Sequence, residues 1–176
     1  MFRGNTGPYS EKSFPDGTTF YDRSKALGEL DDEHNLTLRC SIVGPDINDN
    51  GIGLFNWFMK QRDCITGYVN ALWTGLTTLE LSKAMESCAL EGSTGIINMV
   101  PDTNISKYEL LQLFNKHFRG GKIAITPVDE PVLDKTLIRT SMNAAFRPLS
   151  YEKQVEELSD WVRNHLKIYP HYRLDQ

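Results

Sequence analysis

The sequence predicts an α/β fold, in which helices alternate with short apolar strands. An amphipathic helix is predicted from Tyr21 to about His34, with Ala26, Leu27 and Leu30 at helical spacing. The apolar strand Leu36–Val43 follows it directly. Two later helices, each opened by a capping-box motif, stand on either side of a further apolar strand. The composition, 40% hydrophobic and 24% charged over 176 residues, is that of a globular domain.

The amino-terminal part of the chain has few signals for regular structure. Residues 1–20 are rich in Gly, Pro, Ser and Thr and predict a loop. Acidic residues crowd the end of the first predicted helix from Glu29 to Glu33, where they oppose the helix dipole, so its last turn is expected to fray. The strand that follows stops at Gly44 and Pro45, which favour a turn.

The remaining elements are predicted from periodicity and from signals at their ends. Thr77 with Glu80, and Ser106 with Glu109, have the spacing in which a hydroxyl and a carboxylate bond the first backbone amides of a helix. Ser150 is the predicted cap of the final amphipathic helix. In chain order the elements are a helix over Leu54–Gln61, strand and loop over Ile65–Trp73, a helix from Thr77 to Leu90, a strand over Gly95–Val100, a helix from Ser106 to Phe118, an edge strand over Lys122–Pro127 and a helix over Tyr151–Leu166.

The charge balance and the cysteines exclude several function classes. The net charge is −4 without clustered Lys and Arg, which argues against a nucleic-acid-binding surface and a polybasic membrane patch. No apolar stretch approaches the ~20 residues of a membrane span, and no secretory signal opens the sequence, so a cytoplasmic protein is predicted. Cys40, Cys64 and Cys88 lack metal-ligand spacing and predict free buried thiols, with no metal site.

One pair of residues has a spacing that suits acid–base chemistry. Tyr21 and Lys25 stand four residues apart, so on a helix both side chains leave the same face about one turn apart. A tyrosine hydroxyl is a poor acid–base group at neutral pH, and a nearby ammonium favours its phenolate form. Such pairs also arise by chance, and the alternative is a surface tyrosine beside a solvated lysine.

The residues around this pair make the motif more specific. The stretch FRGNTGPYSEKSFPDGTTFYDRSKALGE resembles the extended short-chain dehydrogenase/reductase family. Two later stretches, ALWTGLTTLELSKAM and GIINMVPDTNISKYELLQLF, resemble its dTDP-4-dehydrorhamnose reductase branch, whose members act on nucleotide-linked sugars. The matching residues of the first stretch are, in order, Phe2, Gly4, Tyr9, Glu11, Pro15, Tyr21, Lys25 and Glu29.

The resemblance implies a role for each matching residue near the reaction centre. Tyr21 would be the general acid that protonates the sugar carbonyl oxygen as hydride arrives from the nicotinamide of NAD(P)H. Lys25 would favour the ionised form of Tyr21 and hydrogen-bond the nicotinamide ribose. Val43 and Gly44 would border the nicotinamide pocket through their backbone, since a glycine lets the backbone approach a ligand closely. The alternative for Gly44 is a turn glycine before Pro45.

The resemblance also implies a substrate site. Trp73, Thr74 and Gly75 would lie near the sugar nucleotide, although a tryptophan is more often a core residue. Asn56 and Arg139 are further candidates. Arg139 has the planar guanidinium that suits a diphosphate, and a structural salt bridge is its alternative role.

The sequence departs from the family at the cofactor. The glycine-rich loop G-x-x-G-x-x-G is absent, because neither GNTG nor GSTG follows an apolar strand and opens a helix. We therefore expect the C-terminal part of a Rossmann-type NAD(P)-binding fold plus a smaller α/β substrate-binding domain, with the N-terminal glycine-rich half absent. Residues 1–45 would be the remnant of the dinucleotide-binding domain, with the Tyr/Lys helix and the strand after it. Residues 46–176 would be mainly the substrate-binding region, with some segments packing on the Rossmann sheet.

Three functional interpretations stay open. The first is the C-terminal part of an NAD(P)-dependent sugar-nucleotide reductase or, with the same Tyr and Lys, an epimerase or dehydratase. This chain alone would bind NAD(P)H weakly and turn over negligibly. It would either self-associate through an exposed sheet edge or pack that face differently from the longer protein. The second is a sugar-nucleotide-binding module that binds no cofactor. The third is an α/β domain in which Tyr21 and Lys25 are incidental.

Overall fold

The computed structural model describes residues 1–174, which contain five α-helices and nine short strands. The helices are α1 (Phe20–Leu27), α2 (Leu54–Met59), α3 (Thr78–Glu91), α4 (Lys107–Arg119) and α5 (Tyr151–Asn164). The strands are β1 (Leu36–Arg39), β2 (Ser41–Val43), β3 (Cys64–Tyr68), β4 (Ala71–Trp73), β5 (Gly75–Thr77), β6 (Gly95–Asn98), β7 (Ile105–Ser106), β8 (Ala124–Val128) and β9 (Leu133–Asp134). None of the helices in this part of the chain is long and apolar enough to cross a membrane.

Most strand pairs are parallel, as the alternation of helices and strands requires. β1 pairs with β6, β2 with β5 and β3 with β8, all in parallel register. β4 pairs in parallel with β9 and antiparallel with β7. The predicted α/β fold class is confirmed. The predicted strand Leu36–Val43 is interrupted at Cys40, and its two halves pair with different strands.

Aromatic side chains of α2 and α4 form the centre of the main core. Phe55 packs edge-on against Phe118, with ring centroids 4.8 Å apart, and against Phe114 at 5.3 Å. Val155 and Leu158 of α5 complete this cluster. Edge-to-face aromatic pairs contribute about 0.5–1.5 kcal/mol beyond the burial of their area. A smaller cluster lies around β6 and α3 and includes Leu76, Ala84, Cys88, Ile97, Met99 and Ala144.

The helix ends confirm one capping box and correct another. Ser106 and Glu109 form the predicted reciprocal box at α4. At α3, the Thr77 hydroxyl accepts from the Glu80 backbone N–H as predicted. The Glu80 carboxylate, however, accepts from the Leu149 backbone N–H at 2.8 Å and from Lys83 at 3.4 Å. Glu80 therefore connects α3 to the segment before α5 and does not cap its own helix.

The first helix is shorter than predicted. It ends at Leu27 with Gly28 as its C-cap. Asp32 then accepts the backbone N–H groups of His34 and Asn35, both at 2.8 Å, in the turn before β1. The last helix ends at Asn164, two residues before the predicted Leu166.

The cysteines differ in exposure, although all three are free thiols. The prediction that all are buried is wrong for Cys64, which is exposed in β3 because its side chain points away from the core. Cys88 is buried and Cys40 is partly buried. Burial raises the pKa of the Cys40 thiol to about 11.

The aromatic contacts of α2 lead to a stability prediction. Phe55→Ala removes a fully buried ring that contacts Phe114, Phe118 and Tyr172, so we expect a loss of about 3–5 kcal/mol in the free energy of unfolding. Urea unfolding followed by circular dichroism measures the loss. Trp57→Ala, on the exposed side of the same helix, is the matched control and should cost much less. Equal losses for the two variants would contradict this description of the core.

Candidate catalytic pair and polar cavity

The Glu11 carboxylate holds the irregular amino-terminal segment against the sheet. It accepts the backbone N–H of Asn98 at 3.0 Å, that of Ser141 at 3.2 Å, and both the backbone N–H and the hydroxyl of Thr140 at 2.9 and 2.5 Å. Burial alone would raise the pKa of the Glu11 carboxyl, but the hydrogen bonds from Thr140 and Asn98 outweigh it and lower that pKa. The segment before α1 is thus fixed to β6 and to residues 140–141.

Asn98 and Tyr9 add to this attachment. The buried Asn98 amide donates to the backbone oxygens of Tyr9 at 3.1 Å and Ile138 at 2.8 Å. The Tyr9 hydroxyl accepts the Gly4 backbone N–H at 3.2 Å, and the Tyr9 ring stacks on Phe2 with centroids 4.1 Å apart. No motif indicates Asn98, and the signal in the sequence is a single polar residue within the apolar stretch Gly95–Val100.

A buried ion pair fixes the end of α1 to β1. Arg39 donates from Nε and Nη2 to the two oxygens of Glu29, both at 2.7 Å. Its Nη1 donates to the Glu11 backbone oxygen at 3.0 Å, and the guanidinium lies 5.7 Å from the Phe2 ring centroid. Glu29, the last residue of the stretch that resembles the reductases, is thus held by Arg39.

Tyr21 and Lys25 come together as their spacing predicts. Both lie on α1 and are exposed, Tyr21 by 67% of its surface, and the Lys25 Nζ is 5.8 Å from the Tyr21 ring centroid. The inward side of α1 carries Asp22, which bonds the N-terminal ammonium at 2.5 Å. Hydrogen bonds from that ammonium and from Thr19 lower the pKa of Asp22 to about 2. The pair therefore faces solvent and is free to meet a ligand.

Val43 and Gly44, which are predicted to border the cofactor, both pack tightly against other parts of the fold. Val43 is buried in the main core at the end of β2. A Cβ added at Gly44 would overlap the Thr78 hydroxyl and methyl groups at the start of α3. Close approach of β2 and α3 is thus sufficient to require glycine here.

Trp73 and Gly75 are also tightly packed. The Trp73 ring is buried, with its centroid 5.8 Å from that of Tyr151 and the Lys107 Nζ 5.3 Å above it. Burial lowers the pKa of Lys107 to about 8. A Cβ at Gly75 would overlap the indole and the Ser41 backbone oxygen. The geometry of Trp73 matches its alternative role as a core residue.

Thr74 and Arg139 are brought together at a polar cavity of about 220 Å³. The Thr74 hydroxyl accepts the Leu137 backbone N–H at 2.7 Å. Arg139 donates to the backbone oxygens of Phe146 at 2.6 Å and Ser141 at 3.2 Å, and also to that of Ala144. The cavity is lined by Pro8, Thr74, Pro101, Asp102, Thr103, Asn104, Asp134, Thr136, Leu137, Ile138 and Arg139.

The chemistry of this cavity favours hydroxyl groups over phosphates. Arg139 is the cation in the lining, and its donors already hold the loop 141–146. Asp134 accepts from the Thr136 N–H and hydroxyl through one carboxylate oxygen, which leaves the other for a ligand. Asp102 adds a second carboxylate. Carboxylates and hydroxyls suit the donors of a sugar ring.

Asn56 lies outside the cavity and has a structural role. Its amide donates to the Ile52 backbone oxygen at 3.3 Å, and its side-chain oxygen accepts from the Tyr172 hydroxyl. That hydroxyl also accepts the Asp46 backbone N–H at 2.8 Å. Asn56 therefore connects the carboxyl-terminal segment to the loop before α2. Neither Tyr21 nor Lys25 is among the residues that line the cavity.

Solved structures with the same fold include reductases and a dehydratase. The chain is similar to dTDP-4-dehydrorhamnose reductase from Bacillus anthracis in complex with NADP (TM-score 0.72, 16% identity, 89% of this chain and 60% of that one). It is also similar to the dTDP-4-dehydrorhamnose reductase ortholog from Clostridium acetobutylicum (TM-score 0.68, 15% identity, 92% of this chain and 62% of that one). A third match is dTDP-glucose 4,6-dehydratase from Bacillus anthracis in complex with NAD (TM-score 0.66, 15% identity, 93% of this chain and 58% of that one).

These matches define the fold and its extent. The chain spans about three fifths of the length of the solved structures, so the predicted partial reductase-like fold of the Rossmann type is confirmed. No family model and no curated protein matches the sequence. Likeness at these identities concerns the fold alone.

The contact between β2 and α3 leads to a test of Gly44. Gly44→Ala should destabilise the fold by about 1–3 kcal/mol, because the new methyl group overlaps Thr78. A second substitution, Thr78→Ala, removes the overlapping atoms and should restore part of the loss in a double-mutant cycle followed by urea unfolding. If Gly44→Ala leaves the free energy of unfolding unchanged, close packing does not explain the glycine.

The Glu11 hydrogen bonds lead to a pH prediction. Because the folded-state pKa lies below the ordinary 4.5, the ionised carboxylate stabilises the fold at neutral pH, and this contribution is lost as the pH falls through the folded-state pKa. Glu11→Gln should cost about 1–3 kcal/mol at pH 7, and the difference from wild type should shrink in acid. Thermal unfolding between pH 7 and pH 3 measures it. A difference that is independent of pH would contradict the assignment.

Proposed function

We propose that this chain is the catalytic and substrate-binding part of an NAD(P)-dependent reductase that acts on a nucleotide-linked keto sugar. The observation that carries the proposal is the pair Tyr21 and Lys25, one helical turn apart and open to solvent, on a fold similar to that of a reductase bound to NADP. In this division, residues 1–45 present the pair and residues 46–176 bind most of the substrate.

The residues of α1 fit a nicotinamide ribose. Within residues 1–174 no carboxylate pairs with Lys25, so its ammonium donors are free for ribose hydroxyls. The backbone of Val43 and Gly44 would form the adjoining wall. The bound cofactor supplies the hydride.

Tyr21 performs the proton chemistry in this proposal. Its hydroxyl hydrogen-bonds the carbonyl oxygen of the sugar and gives its proton to that oxygen as negative charge develops there. Lys25 stabilises the phenolate that remains, because an ammonium about one turn away favours the charged form. Glu29 and Arg39 act as positioning residues, since their buried ion pair fixes the end of the helix that carries both groups.

The polar cavity is the proposed site for the hydroxyl groups of the substrate. Its volume of about 220 Å³ is below the ~300–1,000 Å³ usual for drug-sized ligands, so it suits one ring and not a whole sugar nucleotide. Thr74 and the carboxylates of Asp102 and Asp134 would contact the ring. Arg139 would shape the wall, and it would have to leave three backbone carbonyls to bind a diphosphate.

A second candidate reaction is epimerisation or dehydration of a nucleotide-linked sugar. The similar fold of dTDP-glucose 4,6-dehydratase favours this candidate. It would use the same Tyr21 and Lys25 and would differ in residues around the sugar. The third candidate is a sugar-nucleotide-binding module that binds no cofactor and uses only the polar cavity.

Ligand binding by the isolated chain tests the proposal. We expect calorimetric titration to show binding of a dTDP-linked 4-keto-6-deoxy sugar and little binding of NADPH. Asp102→Asn should weaken the sugar-nucleotide interaction about ten- to 150-fold, the equivalent of one hydrogen bond to a charged group. Asp129→Asn is the exposed control and should leave affinity unchanged.

The outcomes separate the candidates. Binding of the sugar nucleotide, followed by reduction once an NADP-binding unit is added, supports the reductase, and in that assembly Tyr21→Phe should lower kcat about 10²- to 10⁴-fold. Binding without any cofactor-dependent reaction in that assembly would favour the binding module. If neither ligand binds, the proposed function is wrong.

A further inference from the structure

Two buried side chains join the ends of the loop between β2 and α2, which covers residues 46–52. The Tyr172 hydroxyl accepts the Asp46 backbone N–H at 2.8 Å and donates to the Asn56 side-chain oxygen. The Asn56 amide nitrogen in turn donates to the Ile52 backbone oxygen at 3.3 Å. We call Tyr172 and Asn56 the loop clamp. Because one chain of hydrogen bonds runs from Asp46 to Ile52, a single tyrosine hydroxyl holds both ends of the loop.

The loop clamp lies in the main core. Tyr172 is 7% exposed and Asn56 is 3% exposed. The Tyr172 ring packs edge-on against Phe55 of α2 with centroids 5.5 Å apart, and against Tyr169 at 5.9 Å. Burial raises the pKa of the Tyr172 hydroxyl, so the hydroxyl keeps its proton at neutral pH and donates it to the Asn56 oxygen. A buried polar pair with satisfied hydrogen bonds holds its surroundings in one arrangement.

The other contacts of the loop are local or exposed. The Asp46 carboxylate accepts the Asn48 backbone N–H at 2.9 Å, and the Gly51 backbone N–H donates to the Asn48 backbone oxygen at 3.0 Å. A Cβ added at Gly51 would overlap the Asp46 side chain, so the turn closes tightly on Asp46. The exposed Lys60 donates to the Asp49 backbone oxygen at 2.6 Å. Contacts of an exposed lysine contribute little, so the buried clamp sets the position of the loop.

The loop clamp acts next to the backbone that is proposed to border the nicotinamide. Asp46 comes two residues after Gly44, and the ring of Pro45 between them fixes its own φ angle. The direction of the chain at Asp46 therefore constrains the backbone at Gly44. Gly44 itself packs against Thr78 of α3. The end of β2 is thus held by α3 at Gly44 and by the loop clamp at Asp46.

We propose that Tyr172 is a positioning residue for ligand binding at the end of β2. Through the loop clamp it holds the loop 46–52, and it thereby keeps the backbone of Val43 and Gly44 in the arrangement that a nicotinamide ribose contacts. The inference rests on the proposed function and adds to the same site a residue of the carboxyl-terminal segment, 126 positions from Asp46.

Amide hydrogen exchange in the ligand-free chain tests the loop clamp by itself. Tyr172→Phe keeps the buried ring and removes the hydroxyl, so the Asp46 N–H and the Asn56 oxygen lose their partner. We expect about tenfold faster exchange of the Asp46 amide, with smaller changes in α4. Tyr169→Phe is the matched control, because this neighbouring hydroxyl has no hydrogen-bond partner among the described residues. Equal exchange of the Asp46 amide in the two variants would overturn the proposal.

Reduced nicotinamide mononucleotide is the probe for the effect on the ligand. We expect its titration into the wild-type chain to give weak, saturable shifts of the Val43 and Gly44 backbone amide signals. Tyr172→Phe should weaken this binding about two- to tenfold, because the ligand must then order the loop. Tyr169→Phe should bind as the wild type does, and circular dichroism checks that each variant is folded. Unchanged affinity of Tyr172→Phe, despite faster exchange of its loop, would overturn the positioning role.

A failure of the proposed function gives a different pattern of results. In that case the wild-type chain and both variants show no shifts with the probe, while Tyr172→Phe still speeds up exchange of the Asp46 amide. This result would reject nicotinamide binding and, with it, the positioning role, although the loop clamp itself would be confirmed. A failure of the loop clamp instead leaves the Asp46 amide unchanged in Tyr172→Phe.

Discussion

The Glu11 carboxylate is the interaction on which the placement of the candidate site depends. The carboxylate accepts four hydrogen bonds from Asn98, Thr140 and Ser141. The backbone oxygen of Glu11 accepts a further hydrogen bond from Arg39. Residues far apart in the sequence are thereby joined to a segment that has no regular structure of its own. Because the partly buried carboxylate would lose free energy without these donors, its hydrogen bonds help to hold the segment in place.

This arrangement holds α1 from one side only. The Glu29–Arg39 ion pair fixes the carboxyl end of the helix, and Asp22 fixes its inward side. The opposite side of the helix, which carries Phe20, Leu27 and the pair Tyr21 and Lys25, is exposed to solvent. The proposed reactive pair therefore lies on the exposed side of α1, where a ligand can reach it.

Features of the fold that depend on residues close together in the sequence could be predicted from it. The i, i+4 spacing of Tyr21 and Lys25 and the capping box at Ser106 are confirmed in the structure. Contacts across long stretches of sequence could not be predicted, because they depend on which elements meet in space. Asn56 accepts a hydrogen bond from the Tyr172 hydroxyl, and Arg139 donates to backbone carbonyl oxygens. These two residues, predicted to bind substrate, therefore have structural partners that no short motif indicates.

In the proposed function one sugar nucleotide contacts both the polar cavity and Tyr21 on α1, although Tyr21 does not line that cavity. Chemical-shift mapping of backbone amides during titration with a dTDP-linked 4-keto-6-deoxy sugar tests it most directly. We expect the largest shifts around Thr74 and Thr136 in the cavity lining, with smaller shifts at Tyr21 and Lys25. Saturable shifts confined to other parts of the chain, or no shifts at all, would contradict it.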